Sequence, residues 1–342
     1  MHSKVKRTLN YSLSFALAAF FLYIAFRGTD INAIIDSIEK AKWGWLLLFV
    51  PIALLSHIVR AWRWLYFLEP VKKGIRRRNL FYAVMIGYFF NSILPRFGEV
   101  ARPYAIKKLE NIPLSTGVGS VIVERFLDLL FLVILFALSL VFFRNEISQA
   151  FPTMESWSII ISGASIAILV FFGFLVFKTD ETVAFVHKLD RFVPGKILLK
   201  VEELLRKVID GFKVIHNREK YLVMFLLTLV MWFLYVLQFY VVFYAFDFVS
   251  NYGLDLLSAL VVMVISSIGI IIPTPGGTGT FHFFCMASLS KLFGIPEGQA
   301  LGYATSVHAV GYIFLLVAGA IALLVANINI AEASAAGVEP DA

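Results

Sequence analysis

The feature that most constrains this chain is a series of long apolar stretches that contain no Asp, Glu, Lys or Arg. A helix needs about 20 residues to cross the hydrocarbon core of a membrane, and most of these stretches are long enough to do so. The stretches are Thr8–Phe26, Trp43–Val59, Asn79–Pro95, Asn111–Val123, Phe131–Phe143, Trp157–Phe177, Tyr221–Phe246, Leu256–Ser290 and Gly298–Ala331. They predict an all-α membrane protein, a polytopic helical bundle of about eight spans.

The composition excludes the main alternatives. Of the 342 residues, 60% are apolar and only 15% are charged, whereas soluble domains are about 45–50% apolar and about 25% charged. Disordered chains are polar and poor in aromatic residues, but this one contains 34 Phe. The single cysteine, Cys285, excludes an internal disulfide. The chain is therefore neither a soluble enzyme nor a disordered protein.

The positive residues gather in a few segments between the stretches. Three Lys or Arg precede the first stretch, five lie in 69–79 and ten in 178–220, whereas 144–156 holds only one. Loops rich in Lys and Arg stay in the cytoplasm, so we expect a multi-pass protein of the cytoplasmic (inner) membrane with both termini inside. The first stretch resembles a signal peptide, but apolar residues continue beyond its small-residue site, which favours an uncleaved anchor.

The same pattern predicts one transmembrane domain made of two halves. Its predicted parts are a domain over 1–331, a first half over about 1–143, a second half over about 157–331, a cytoplasmic connector over 178–220 and a short acidic tail over 332–342. Within the connector, apolar residues recur at helical spacing over 197–215 and predict an amphipathic helix. A solvated linker whose basic residues only obey the sidedness rule is the alternative.

Two stretches are interrupted by Pro and Gly in matching places of the two halves. We call 91–99 the first break and 272–279 the second break. Irregular backbone at membrane depth must be buried in protein or line a watery cavity. Broken segments entered from opposite sides are typical of an inverted repeat with a substrate site between them. The alternative is that the breaks are ordinary kinks or a tight loop at the interface, because the halves share no visible identity beyond Pro and Gly.

Charged residues cluster at the first break. The cluster comprises Arg96, Glu99 and Arg102, which would share one helical face, and Glu124, Arg125 and Asp128, which would begin the next span. Ionisable residues inside a membrane are rare and usually functional. Arginine can grip phosphate in a bidentate manner, and a carboxylate can hold that arginine in place. The three positive and three negative charges predict either a phosphate site or a salt-bridge network that pins a re-entrant hairpin.

The second break offers glycines and histidines instead of charges. Its candidate residues are Gly276, Gly277 and Gly279, whose backbone N–H groups a ligand can approach, followed by His282 and His308. No Cys, His or carboxylate spacing completes a metal site, so no metal and no cofactor are expected. His57, Arg60 and Arg63 lie near the predicted cytoplasmic end of a span, where we expect their side chains to snorkel.

Three of these motifs together resemble a known family. They are Asn91-x-x-Leu94-Pro95-Arg96-x-Gly98-Glu99-x-x-Arg102, Glu124-Arg125-x-x-Asp128 and Pro273-Thr274-Pro275-Gly276-Gly277-x-Gly279. In this order they resemble the flippase-like family of the lysyl-phosphatidylglycerol synthetase transmembrane region. The resemblance implies about eight spans and, for the founding member, translocation of an aminoacylated phospholipid between leaflets. That member also carries a soluble aminoacyl-transferase domain, and we expect no such synthesis from this chain.

This chain departs from the family pattern at two positions. Many relatives have an extra residue between the Pro and the Arg of the first motif, and many have a Glu where this chain has His282. The expected function is a flippase whose Arg96, Arg102 and Arg125 hold a lipid phosphate, oriented by carboxylates and faced by the glycines of the second break. Asn91 is included in the expected substrate site.

Two other functions are left open by the sequence. One is a membrane-embedded glycosyl- or phospho-lipid transferase, and the other is an accessory subunit of an envelope lipid enzyme. The expected partner is a membrane phospholipid or lipid-linked substrate. A separate lipid-modifying enzyme and further copies of the chain are the remaining candidates, and no nucleic acid is expected.

Overall fold

A computed structural model describes residues 2–143 and 218–329 of the chain. The predicted span Trp157–Phe177, the predicted amphipathic helix at 197–215 and the acidic tail at 332–342 lie outside the described residues. The helices are α1 His2–Phe26, α2 Ile31–Glu39, α3 Trp43–Leu68, α4 Arg77–Ile93, α5 Gly98–Glu110, α6 Leu114–Phe142, α7 Arg218–Ala245, α8 Phe248–Tyr252, α9 Leu256–Ile271, α10 Thr280–Phe293 and α11 Glu297–Val325, with a short 3₁₀ turn at Pro275–Gly277.

The described residues form an all-α membrane protein, as predicted. Within them, the four helices α3, α6, α7 and α11 are long and apolar enough to cross a membrane. Helices α1 and α2 bend by 87° at a short break and would count as a fifth span if they are taken together. The eight spans expected from the sequence therefore stay a prediction.

Helix α6 joins two stretches that the sequence analysis separated. Asn111–Val123 and Phe131–Phe143 were divided by charged residues, but one continuous helix, Leu114–Phe142, covers both. The expectation that Glu124 begins a new span is therefore wrong, because it lies near the middle of this helix. The charges do not end the helix since other helices supply their partners.

The first break separates two helices that fold back on each other as a hairpin. Helix α4 ends at Ile93 and α5 begins at Gly98. The Asn91 side-chain oxygen accepts a hydrogen bond of 2.7 Å from the Gly98 N–H, which satisfies a backbone donor at the start of α5. A side chain at Gly98 would overlap the carbonyl oxygen of Gly87, so a glycine is required for the close approach of the two helices.

The second break forms a second hairpin between α9 and α10. Gly279, the residue before α10, has a φ of 84°, and a Cβ there would overlap the carbonyl oxygen of Ala18. Only glycine combines this conformation with so close a contact. Helix α1 therefore packs directly on the second break.

The two halves repeat the same succession of elements. Each has a long helix, then a hairpin, then a turn, then a helix of 29 residues. The turns are Asn111-Ile112-Pro113 and Gly294-Ile295-Pro296, and both begin with a left-handed residue. Helix α4 of the first half packs on α11 of the second, and α9 of the second half packs on α6 of the first. This reciprocal packing indicates a pseudo-two-fold relation between the halves.

The equivalent long helices α3 and α7 run antiparallel. The backbone N–H of Lys42, just before α3, donates to the carbonyl of Ala245 at the end of α7 over 2.8 Å. At the other end, Lys220 near the start of α7 pairs with Glu69 after α3 over 2.9 Å. Equivalent helices that run in opposite directions give the two halves opposite orientations, which is consistent with the predicted inverted repeat.

One buried carboxylate fixes the basic end of the first half. Glu110, the last residue of α5, accepts hydrogen bonds from Lys72 Nζ at 2.9 Å, from Asn79 Nδ2 at 2.6 Å and from the Arg76 backbone at 3.1 Å. Burial by itself raises the pKa of this carboxyl, but the three hydrogen bonds outweigh burial and hold the pKa below its usual value. Glu110 thus ties α5 to the loop between α3 and α4.

Candidate functional site

Two carboxylates of α6 meet two arginines of α3 inside the bundle. Glu124 and Asp128 are four residues apart and therefore share one face of α6. Arg60 donates to Glu124 and, over 2.9 Å, to Asp128. Arg63 lies 2.6 Å from Asp128 and 3.6 Å from Glu124. The two charged faces thus form a closed network between α3 and α6.

Arg102 adds a third arginine from the hairpin. Its two terminal nitrogens donate to the two oxygens of Glu124 over 3.1 and 2.8 Å, the bidentate geometry that suits a planar guanidinium. The guanidinium also stacks on the ring of Trp64, with the Arg102 Cζ 3.8 Å from the ring centroid, a favourable cation–π contact. Carboxylate and aromatic ring together fix the position of Arg102.

Arg60 and Arg63 also contact the second half of the repeat. Arg60 Nε donates to the hydroxyl of Tyr235 over 3.1 Å, and Arg63 donates to the hydroxyl of Thr228 over 3.3 Å. Both partners belong to α7. The network therefore joins one hairpin, α3 and α6 of the first half to the inverted counterpart of α3.

The prediction that Arg60 and Arg63 snorkel is wrong. Arg60 is 4% exposed and Arg63 is fully buried, because their guanidinium groups turn inward to the carboxylates of α6. His57, one turn earlier, is also buried. The centroid of its ring lies 4.5 Å from that of Tyr88 and 5.9 Å from that of Phe314. His57, Arg60 and Arg63 of α3 are thus all directed into the protein.

The balance of charge differs from the equal count expected from the sequence. The buried network holds three arginines, Arg60, Arg63 and Arg102, against two carboxylates, Glu124 and Asp128. A fourth arginine and a third carboxylate, in the pair described next, cancel each other. Within the described residues the cluster therefore carries one positive charge more than its carboxylates balance.

The outer pair of the cluster is Glu99 and Arg125. Their charged atoms are 3.9 Å apart, and the two side chains are 44% and 41% exposed. Arg96 is exposed, precedes the start of α5 and has a left-handed φ of 61°. The expected helical face shared by Arg96, Glu99 and Arg102 is therefore limited to Glu99 and Arg102.

A small, open cleft with room for about one water molecule lies between the hairpin and α6. Its lining includes Tyr88, Asn91, Gly98, Glu99, Arg102 and Arg125. The Nε atoms of Arg102 and Arg125 are buried and, within the part of the chain that the structure describes, form no hydrogen bond. The cleft thus combines donors from two arginines with one carboxylate, whereas Arg96, Glu124 and Asp128 do not line it.

The second break lies against the first. The hydroxyl of Tyr312 donates to the carbonyl of Ser92 over 2.9 Å. A Cβ on Gly276 would lie 3.5 Å from the Cα of Ser92 and 2.7 Å from the Tyr312 ring. The two breaks thus face each other across a few ångströms, as the inverted repeat predicts.

The two candidate histidines lie together beside the second break. Their ring centroids are 4.6 Å apart. His282 Nδ1 accepts from the Gly279 N–H over 3.4 Å and so caps α10, and His308 Nε2 lies 3.1 Å from the Gly276 carbonyl oxygen. Backbone contacts therefore occupy one nitrogen of each ring.

The sequence matches the family described as lysylphosphatidylglycerol synthase TM region over residues 11–319, a range that contains both breaks and the whole cluster. The chain belongs to this family. It is an integral membrane protein, in agreement with the apolar helices above.

Curated relatives cover most of this family member. It is 25% identical over 341 residues to a UPF0104 membrane protein of Methanocaldococcus jannaschii, covering 94% of this chain and 96% of the relative. A second UPF0104 membrane protein of the same organism is 28% identical over 248 residues, covering 71% of this chain and 96% of the relative. A UPF0104 membrane protein of Methanothermobacter thermautotrophicus is 26% identical over 310 residues, covering 85% of this chain and 86% of the relative.

Proposed function

We propose that this chain is a membrane lipid transporter that moves a phospholipid or a lipid-linked anionic head group between leaflets. The observation that carries the proposal is the buried arginine cluster with its excess positive charge beside a cleft. Charge inside a membrane protein is costly and usually marks a substrate path. A phosphodiester brings one negative charge, which would neutralise the excess.

The geometry supports separate roles for the charged residues. Arg125 is half-exposed and only loosely paired with Glu99, so a phosphate would compete with Glu99 for it. Arg102 would offer Nε while Glu124 holds its other nitrogens. Arg60 would act behind the site by positioning Glu124. Because Arg96 lies outside the cleft, the proposal rests on Arg102 and Arg125.

The inverted repeat supports movement by alternating access. In transporters of this architecture the substrate binds where the repeats meet, and one half rocks against the other. The cleft is small for a head group, so the halves would have to part to admit one while the acyl tails stay in the bilayer. The family description names the synthase of an anionic-lipid derivative, which favours a phospholipid substrate. We place both termini in the cytoplasm on the basis of the basic segments.

The test is leaflet-resolved lipid movement in reconstituted vesicles. Fluorescent phosphatidylglycerol in protein-containing vesicles should become accessible to an external quencher faster than in protein-free vesicles. Arg125→Gln and Arg102→Gln should each slow it at least tenfold, which corresponds to about 1.4 kcal/mol. The matched control is Arg77→Gln, since Arg77 is an exposed arginine that stacks on Trp62 outside the cleft. Equal rates for all variants would refute the assigned site.

The transferase alternative receives less support from the geometry. It would use Glu124 and Asp128 to hold a metal-bound donor, but their oxygens face arginines in the structure. Product formed from a labelled lipid-linked donor by the purified protein would overturn our proposal in its favour.

A further inference from the structure

The two breaks correspond residue by residue once the repeat is aligned on its turns. A shift of 183 residues carries Pro113 onto Pro296. The same shift carries Arg96, with a φ of 61°, onto Gly279, with a φ of 84°. Backbone conformation thus supports the alignment on both sides of the α5 and α10 helices, although the side chains are unrelated.

Under this alignment the outer charged pair has a counterpart in the second half. Glu99 falls on His282, and Arg125 falls on His308. The first pair is joined over 3.9 Å and the second has ring centroids 4.6 Å apart. The repeat therefore builds the same two-residue contact twice, with a loose ion pair in one half and two imidazoles in the other.

The hydrogen bonds assign the protons on the two rings. The Gly279 N–H donates to His282 Nδ1, so this nitrogen carries a lone pair and cannot also hold a proton. The Gly276 carbonyl can only accept, so His308 Nε2 is the protonated nitrogen of that ring. One further proton can be added without breaking either contact, and it goes to Nδ1 of His308.

The surroundings of the pair are aromatic. Phe26 of α1 and Phe281 of α10 lie beside the rings, with Tyr312 stacked on His308 at 5.6 Å. Tyr312 is the titratable group in contact, and among the described residues no Asp, Glu, Lys or Arg forms an ion pair or hydrogen bond with either ring. A charged imidazole is costly to bury without a counter-charge, and an arriving anion would supply that counter-charge.

We propose that His308 is a proton-dependent phosphate-binding residue, the counterpart of Arg125 in the second half of the repeat. The inference rests on the proposed function and assigns to it a second binding site for the anionic head group, called the second station below. Proton and phosphate bind there together, because each supplies the charge that the other needs. Tyr312 links this station to the first break through its hydrogen bond to Ser92.

Lipid movement provides the first test. In vesicles of phosphatidylcholine and phosphatidylglycerol, wild-type movement should accelerate as the pH falls from 8 to 6, by up to about tenfold per unit, the limit for one linked proton. His308→Gln should abolish the acceleration, and His308→Arg should make movement independent of pH. His2→Gln, a histidine at the N-terminus, is the control and should keep it. An unchanged pH response in His308→Gln would overturn the inference.

A second test does not depend on transport. In nanodiscs of phosphatidylcholine, ¹⁵N-histidine spectra should show that short-chain phosphatidylglycerol raises the pH at which His308 is protonated, with the signal assigned by its loss in His308→Gln. An unchanged titration overturns the inference, and lipid movement in the same preparation then leaves the proposed function standing. A shifted titration in protein that moves no lipid supports the station and refutes the transporter.

Discussion

Replacing Glu124 by Gln should destabilise the protein more than any other single loss of charge in the cluster. Glu124 accepts hydrogen bonds from Arg60 and from both terminal nitrogens of Arg102, and it is 1% exposed. A glutamine keeps the shape but removes the negative charge, so three buried arginines would be left against Asp128 alone. Its amide NH₂ would also face the donors of Arg102.

The expected size follows from the burial of the pair. Removing one partner of a buried ion pair costs about 3–5 kcal/mol, because the remaining charge stays without compensation. At roughly 2 °C per kcal/mol for a chain of this size, Tm should fall by about 6–10 °C. Glu99→Gln is the matched control: Glu99 is half-exposed and 3.9 Å from Arg125, so its loss should cost under about 1 kcal/mol.

The assay is thermal unfolding in detergent, combined with a double-mutant cycle. The variant that also carries Arg102→Gln removes one charge of each sign and restores the wild-type balance. It should therefore be more stable than the sum of the single effects by about 1–3 kcal/mol. Additive effects, or a Glu124→Gln protein as stable as Glu99→Gln, would refute the idea that this network compensates buried charge.

Three further predictions concern stability. Glu110→Gln should lower Tm at neutral pH. Because the pKa of Glu110 is depressed in the folded protein, its contribution to stability is complete above about pH 4.5 and disappears as the pH falls through the folded pKa. The difference in Tm between wild type and variant should therefore shrink as the pH is lowered toward 3. Gly98→Ala should cost about 1–3 kcal/mol in a chemical unfolding assay because its Cβ would overlap Gly87, whereas Gly119→Ala, with open space around it, should be neutral or slightly stabilising. Asp255→Ala should cost about 0.5–2 kcal/mol in the same assay, since it removes the capping box at the start of α9.

The breaks could be predicted from sequence because their cause is local. Proline and glycine interrupt an apolar run wherever they occur, and their matching places in the two halves indicated the inverted repeat. The Ile-Pro turns at 112–113 and 295–296 were an additional signal of the repeat. This signal is weak in the sequence alone, because two shared residues occur often by chance. It indicates a repeat only once each Ile-Pro pair is seen to precede a helix of 29 residues.

The partners of the carboxylates were harder to predict because they depend on packing. His57, Arg60 and Arg63 recur at helical spacing and so indicate one polar face of α3, just as Glu124 and Asp128 indicate one on α6. Spacing does not say whether such a face turns to the interface or to another helix. The nearby basic loop favoured snorkelling, and only the contact of α3 with α6 shows the inward direction.

The difference between the Glu99–Arg125 pair and the His282–His308 pair affects the direction of lipid movement. Guanidinium stays charged at all accessible pH values, so phosphate binding at Arg125 would not respond to a pH gradient. Binding at His308 would respond, and the two stations belong to halves of opposite orientation. A gradient of one pH unit is worth about 1.4 kcal/mol for one proton, which would bias the lipid distribution at most about tenfold toward one leaflet. Vesicles with equal pH on both sides should therefore show movement without net accumulation, and reversing the gradient should reverse the favoured leaflet.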